Sequence, residues 1–422
     1  MQWCVKRRSP MRTYTNYFNQ KTYSILKKED YIPELKKVIG EFRSFDAALD
    51  DFILRHGYKG DRTDIDAKVK YISDKCLSSG VPVPRNLRKW YTENKRIDRN
   101  SKVPFQLCFA FRLSIDEVNE FLKRICLARG IDCHLVEEAV YYYAFKNGLT
   151  YLETVEILKR VNPVKPKKMN LTEVIYTELL EDDIDRIQIE DELVAYLNEN
   201  EQKFSYNNAT ACETIQTLWN EIAGEEHVKG IAKKEREHGY VLFNKEETLR
   251  IKCEEERGRK QRKREQDSVW EIYLQILGYS GDYVADYYKN RSLKSILKDN
   301  VLLHPLAEEA FPDRDGLNKV LHGEHVSYER IRKLIILLTF YKYYVSRIIQ
   351  NENCEEEPDC GDRCISYING NLTASNYMGL YPGNPYDFLI LMAIRSEQPL
   401  LMFREYMHEL YFSKVDIDQL YI

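Results

Sequence analysis

PRNLRKWYTENKRIDRNSKVPFQLCFAFRLSIDEVNEFLKRI, Pro84 to Ile125, and PDRDGLNKVLHGEHVSYERIRKLIILLTFYKYYVSRI, Pro312 to Ile348, carry the same order of features about 230 residues apart. Each reads as a short helix with exposed charges, a polar turn, a capping residue and a strongly apolar helix. In the first copy a preceding helix spans Asp66 to Ser79, Gly80 lies in the turn, and the short helix is Arg85 to Tyr91. Helical spacing turns Leu87 and Trp90 inward and leaves Arg85, Asn86, Arg88 and Lys89 outward. Asp98 is the expected cap of the next helix. In the second copy the preceding helix is Leu306 to Phe311, closed by Pro312, and the short helix is Arg314 to Leu321. Leu317 and Val320 face inward and Arg314, Asn318 and Lys319 outward. His322, Gly323 and Glu324 form the turn and Ser327 is the cap. Counted from each cap, Phe105 and Leu334 fall at plus seven, Cys108 and Leu337 at plus ten, Phe109 and Leu338 at plus eleven, Phe111 and Phe340 at plus thirteen. One apolar stripe therefore occupies one helix face in both copies.

This phrasing resembles the lambda-repressor and Cro-like helix-turn-helix superfamily. The first copy, LCFAFRLSIDEVNEFLKRI above all, resembles degenerate versions found in uncharacterised proteins of bacterial mobile elements. The resemblance covers about a quarter of the chain, residues 66–125 and 306–348. Two prolines precede the first short helix, and Glu93 or Asn94 stands where the family carries a later glycine. The resemblance implies DNA-binding ancestry. A DNA-reading helix would use Arg and Asn on base edges and Lys on phosphate, which selects Arg85, Asn86, Arg88, Lys89, Arg314, Asn318 and Lys319.

The 422 residues allow two or three domains. With 43% hydrophobic and 31% charged residues the composition is that of a folded chain, and a net charge of −4 confines any nucleic-acid surface to a local patch. The 31 tyrosines suit half-buried helical surfaces or an interface. Strand patterns are sparse, so the expected fold is mainly α: two helix-turn-helix-like bundles, 1–161 and 268–422, joined by a charged helical middle segment, 162–267. The boundary after residue 161 rests on NPVKPKK, Asn162 to Lys168. Further helices are expected at His134–Asn147, ended by Gly148, and from Thr150 to Arg160, where Thr150 and Glu153 form a capping box. Leu171–Asn200 and Tyr206–Ala223 also read as helical, and Gly224–Gln266 as a solvated helix or connector.

RGRKQRKR, Arg257 to Arg264, has six basic residues in eight. Arg259, Lys260, Arg262, Lys263 and Arg264 could grip phosphates. Preceding acids, Glu254 to Glu256 among them, also fit a self-paired exposed helix. Cys354, Cys360 and Cys364 fall within eleven residues, but without CxxC spacing or a nearby histidine they are expected to be incidental thiols of a polar loop, not zinc ligands. Cys133-His134 reads as a partly buried helix start, and Tyr381 to Tyr386 as a structural turn. The ten scattered cysteines fit a reducing, cytoplasmic setting. Neither a secretory signal nor a membrane span is expected. No P-loop, GxGxxG, HExxH or GxSxG occurs, so a non-enzyme without cofactor is expected. The leading expectation is a DNA-binding regulator or architectural factor of a mobile element. The alternative is a helical protein-interaction scaffold of a phage-defence or phage-encoded assembly, with a protein partner or a homodimer.

Overall fold

A computed structural model describes residues 44–93, 97–99, 101–164, 177–204, 208–225, 228–237, 269, 272–273, 275–277, 314–324, 326–350 and 359–404. The fold is mainly helical, as expected. Seven helices build the first part: α1 Phe45–Arg55, α2 Ile65–Ser78, α3 Leu87–Thr92, α4 Val103–Ala110, α5 Ile115–Arg124, α6 Val136–Lys146 and α7 Tyr151–Arg160. Their starts follow local chemistry. Asp64 accepts a hydrogen bond from the Ala67 amide to begin α2, and Ser114 with Glu117 and Thr150 with Glu153 form full capping boxes on α5 and α7. Gly80, at φ +68°, ends α2 in the left-handed conformation that lets the Val81 amide return to the Cys76 carbonyl at 2.8 Å. The aromatic side chains interlock below: Phe109 stacks on Phe145 at 4.2 Å, Phe105 on Tyr141 at 4.6 Å, and Phe52 meets both Phe111 and Phe121 at 4.8 Å.

The first copy differs from its expected form in three ways. The short helix starts at Leu87, not Arg85, because residues 81–84 form no regular structure and a turn from Pro84 to Leu87 leads in. The N-cap of α4 is Lys102, not Asp98; the Asp98 carbonyl accepts from the Ser101 amide and hydroxyl, and α4 starts at Val103 with Pro104 in its first turn, where a missing N–H costs least. The single apolar helix is two helices. Arg112 breaks it at φ +52°, and Ser114 then caps α5. The stripe nevertheless holds, since Phe105, Cys108, Phe109 and Phe111 are all buried, like Leu334, Leu337, Leu338 and Phe340. Arg112 is exposed and occupies the αL position that favours glycine, while the Leu113 amide closes the turn on Cys108. Arg112→Gly is expected to stabilise the chain by about 0.5–1 kcal/mol. A urea midpoint that falls would contradict this.

The middle segment does not stand apart. Its acidic helices, α8 Thr177–Asp185 and α9 Glu190–Glu199, bury Leu180, Ile184, Leu193 and Leu197 in the N-terminal core. Ion pairs Lys146–Asp185 and Arg160–Asp191 edge that contact, and Lys203–Asp183 (3.2 Å) ties the segment to itself. The next helix, α10 Ala209–Ala223, belongs to a second core. So does α11 Ile231–Glu237, reached through a short antiparallel pair, β1 Gly224–Glu225 and β2 Val228–Lys229. The start of the stretch expected to be a solvated connector is thus core: Glu235 is fully buried, accepting from Tyr341 Oη at 2.6 Å and Gln275 Nε2 at 2.8 Å and facing Arg404 at 2.9 Å.

The second core is completed by α12 Arg314–Leu321, α13 Tyr328–Ile349, α14 Cys360–Ala374 and α15 Pro385–Ile394. α13 runs unbroken for 22 residues and packs on α10, α11 and α14. Its N-cap is Ser327, but the side chain makes no capping bond. All ten residues of α15 are buried, so it is a central core helix. Asn384 starts it by accepting from the Tyr386 and Asp387 amides, followed by Pro385, in keeping with a structural role for the Tyr381–Tyr386 turn. Among the described residues no helix is long and apolar enough to cross a membrane.

Candidate nucleic-acid interface

Leu87 and Trp90 of α3 are buried at 3% exposure each, with Trp90 edge-on to Phe45. That burial turns the opposite side outward. Arg85, Asn86, Arg88 and Lys89 are all exposed, as the helical spacing requires. Tyr91, on the inner side, holds α3 to the helices beneath. Lys68 of α2 lies 4.4 Å over its ring and donates to Asp50 of α1 at 2.9 Å. Burial, with Asp50 and Asp46 nearby, pushes the Tyr91 hydroxyl well above its ordinary range, so it stays neutral.

Acids flank this outer edge. Arg88 pairs with Asp66 and Lys89 lies 3.3 Å from Glu93, all four more than half exposed. Exposed pairs of this kind contribute about 0–1 kcal/mol each, so phosphate can displace the carboxylates at small cost. Asp66 and Glu93 also repel phosphate, which lowers the contribution of both cations. Arg85 has no such partner among the described residues.

α12 matches the expected Arg314–Leu321 span. Leu317 and Val320 are buried and Lys319 is exposed. Asn318 departs from its expected outward role: it is half-buried, its Oδ1 is closed off from solvent without a partner, and its carbonyl accepts from His322 Nδ1 at 2.7 Å. An amide held this way is poorly placed to read a base edge. The side chain of Arg314, the helix expected at 306–311, and Arg259, Lys260, Arg262, Lys263 and Arg264 lie outside the described residues.

Cys354 also lies outside them. Cys360 and Cys364 sit on α14, not in a polar loop; both are buried, and Cys360 faces the Tyr343 hydroxyl at 3.9 Å. Among the described residues no group of three or more His, Cys, Asp or Glu side chains could hold a metal ion.

The polar groups that sequence reasoning missed are internal. His134, expected partly buried, is fully buried with Cys133. Its Nδ1 lies 2.9 Å from Asp132 Oδ1, and Arg129 donates to Asp132 Oδ2 at 2.9 Å. Burial alone would raise the Asp132 carboxyl. The Arg129 guanidinium, His134 and the Asn208 amide outweigh it and hold the group below its ordinary value. The sole local signal was Arg129 and Asp132 lying between Cys126 and Cys133, with His134 just after, and it does not name distant partners such as Asn208.

The chain matches no protein-family model, no curated protein and no solved structure.

Proposed function

We propose that this chain binds DNA through the outer side of α3, with Lys319 of α12 as a second contact, as a regulator or architectural factor of a bacterial mobile element. The observation that carries the reading is the division of α3. Leu87, Trp90 and Tyr91 anchor it, while Arg85, Asn86, Arg88 and Lys89 project together. Exposed Arg85 and Asn86 just before a short anchored helix, with Arg88 and Lys89 on its outer side, suit base-edge and phosphate contact. Binding to a random-sequence duplex should weaken with salt, by about 0.9 in log–log slope per neutralised phosphate. Arg85→Glu combined with Lys89→Glu should reduce affinity roughly tenfold or more at low salt and flatten that slope by about two. Fluorescence anisotropy across a salt series measures both. An unchanged slope in a folded variant would refute the assignment of these two residues.

A second reading is a protein-interaction scaffold of a phage-defence or phage-encoded assembly. The observation favouring it is apolar surface beside the turn after α2. Leu77 is 68% and Leu152 60% exposed, and a Cβ placed on Gly80 would lie 3.2 Å from Leu152. If duplex binding is absent while Leu77→Ser with Leu152→Ser abolishes capture of a protein partner, this reading replaces the first.

A further inference from the structure

We infer that residues 126–134 form a charge-locked joint that allows the two helical bodies of this chain to dock in one arrangement only. Chain path, charge and backbone conformation all support it.

The segment leaves α5 and crosses between the cores. Cys126 packs against both, Ala128 lies in the C-terminal core, and Ile131 and Cys133 lie in the N-terminal core. Between these apolar contacts it carries the charges of Arg129 and Asp132, and the His134 ring beside them, to full burial, each 0% exposed. Asp132 Oδ2 accepts from Arg129 and, at 3.0 Å, from the Asn208 amide at the start of α10. Asn208 Oδ1 accepts from Arg129 at 3.4 Å and from the Tyr377 hydroxyl at 3.5 Å. A second pair lies alongside. Arg99 donates twice to Glu138, at 2.8 Å each, and once to the Gly130 carbonyl. Its guanidinium sits between the rings of Phe105, at 4.8 Å, and Tyr328, at 4.9 Å, one from each core. Glu138 accepts in turn from the Asp132 amide at 2.7 Å, linking the two pairs.

The backbone closes the joint. Asn376 accepts from the Gly130 amide at 3.2 Å and donates through Nδ2 to the Ile131 carbonyl at 3.0 Å. Asn376 and Asn208, the two residues that receive the segment, both hold left-handed conformations, φ +58° and +57°. Asparagine tolerates that region better than most residues.

An apolar interface can slide, because neighbouring packings differ little in energy. This one cannot. Any displacement takes the Asn208 amide from Asp132, the Asn208 side chain from Arg129 and the Tyr328 ring from Arg99 while these charges stay buried, and buried charges stripped of such partners lower the docked population about ten- to a hundredfold. The bodies are therefore docked in this geometry or apart.

Spin labels on ketone-bearing residues at Lys59 and Ser366, both exposed, report the distance between the bodies in the full chain. A single narrow distance is expected. Asp132→Asn keeps the shape and removes the charge, and should add a longer, broad population. Asn208→Gly keeps the left-handed backbone and the amide that donates to Asp132 and removes the side-chain carboxamide, and should add less of it. Leu49→Ala, deep in the N-terminal core and away from the joint, should weaken the fold and leave the distance narrow. A broad distance in the unaltered chain overturns the inference. So does a narrow one in both joint variants when circular dichroism shows them folded. Should Asp132→Asn fail to fold, the Asn208→Gly distance decides alone.

Discussion

Arg332→Met is expected to destabilise the chain by about 3–5 kcal/mol, among the largest effects of any single substitution. Arg332 projects from α13 into the second core and donates to Asp387 Oδ1 at 2.7 Å and Oδ2 at 2.6 Å. The same guanidinium serves the carbonyls of Met378 and Gly379 at 3.3 and 3.2 Å. Asp387, on α15, has no solvent exposure. Methionine fills much of the arginine's volume, so the loss is electrostatic. The Asp387 carboxylate is left buried with the Tyr381 amide, at 2.7 Å, as a remaining donor. Asp387→Asn should cost less, since it keeps shape and one acceptor. Urea midpoints with unchanged slope measure both. A loss under about 1 kcal/mol for Arg332→Met would show that the pair is hydrated and not an internal staple.

Gly230→Ala should cost about 3 kcal/mol, the upper range for overpacking a filled site. A Cβ there would lie 2.3 Å from the Ala223 carbonyl carbon, 2.4 Å from the Gly224 nitrogen and 2.4 Å from the Ile222 oxygen. These are backbone atoms at the end of α10, and no rotamer change relieves them. The chain must shift as a unit, and α11 begins one residue later. The shift drags Glu235 from Tyr341, Gln275 and Arg404. The expected signature is a lower unfolding midpoint together with faster exchange of amides across 231–237. A variant as stable as the parent would show that the β1–β2 turn adapts freely.

Much of the helical plan was legible because it is local. Thr150 with Glu153, Gly80 and Gly148 act within one turn, and the structure places helix ends there. The inward set of α3 and α12 followed from spacing alone, and Leu87, Trp90, Leu317 and Val320 are buried accordingly. The same reasoning could have found the break in the first apolar stretch. Ser114 and Glu117 are a capping box in plain view, outweighed in the reading by the apolar run on either side. Asn318 could not have been found so. Helical spacing assigns it outward, but in the folded chain it is half-buried with its Oδ1 closed off from solvent, beside the bond from His322 Nδ1 to its carbonyl. The acids beside Arg88 and Lys89 were partly visible: Glu93 is four residues from Lys89, whereas Asp66 meets Arg88 only once α2 and α3 cross.

What the sequence determined by itself is the α class, the helix starts governed by caps, and the apolar faces. Each depends on residues within about one or two turns of each other. What the tertiary structure alone decided is the allegiance of the middle segment, split between two cores, and the fate of the buried charges. Arg129 and Asn208, Arg99 and Tyr328, Glu235 and Arg404 are far apart along the chain. No local pattern can distinguish a charge that will be solvated from one that will be buried, because the cost of burial is offset only by partners that folding brings in.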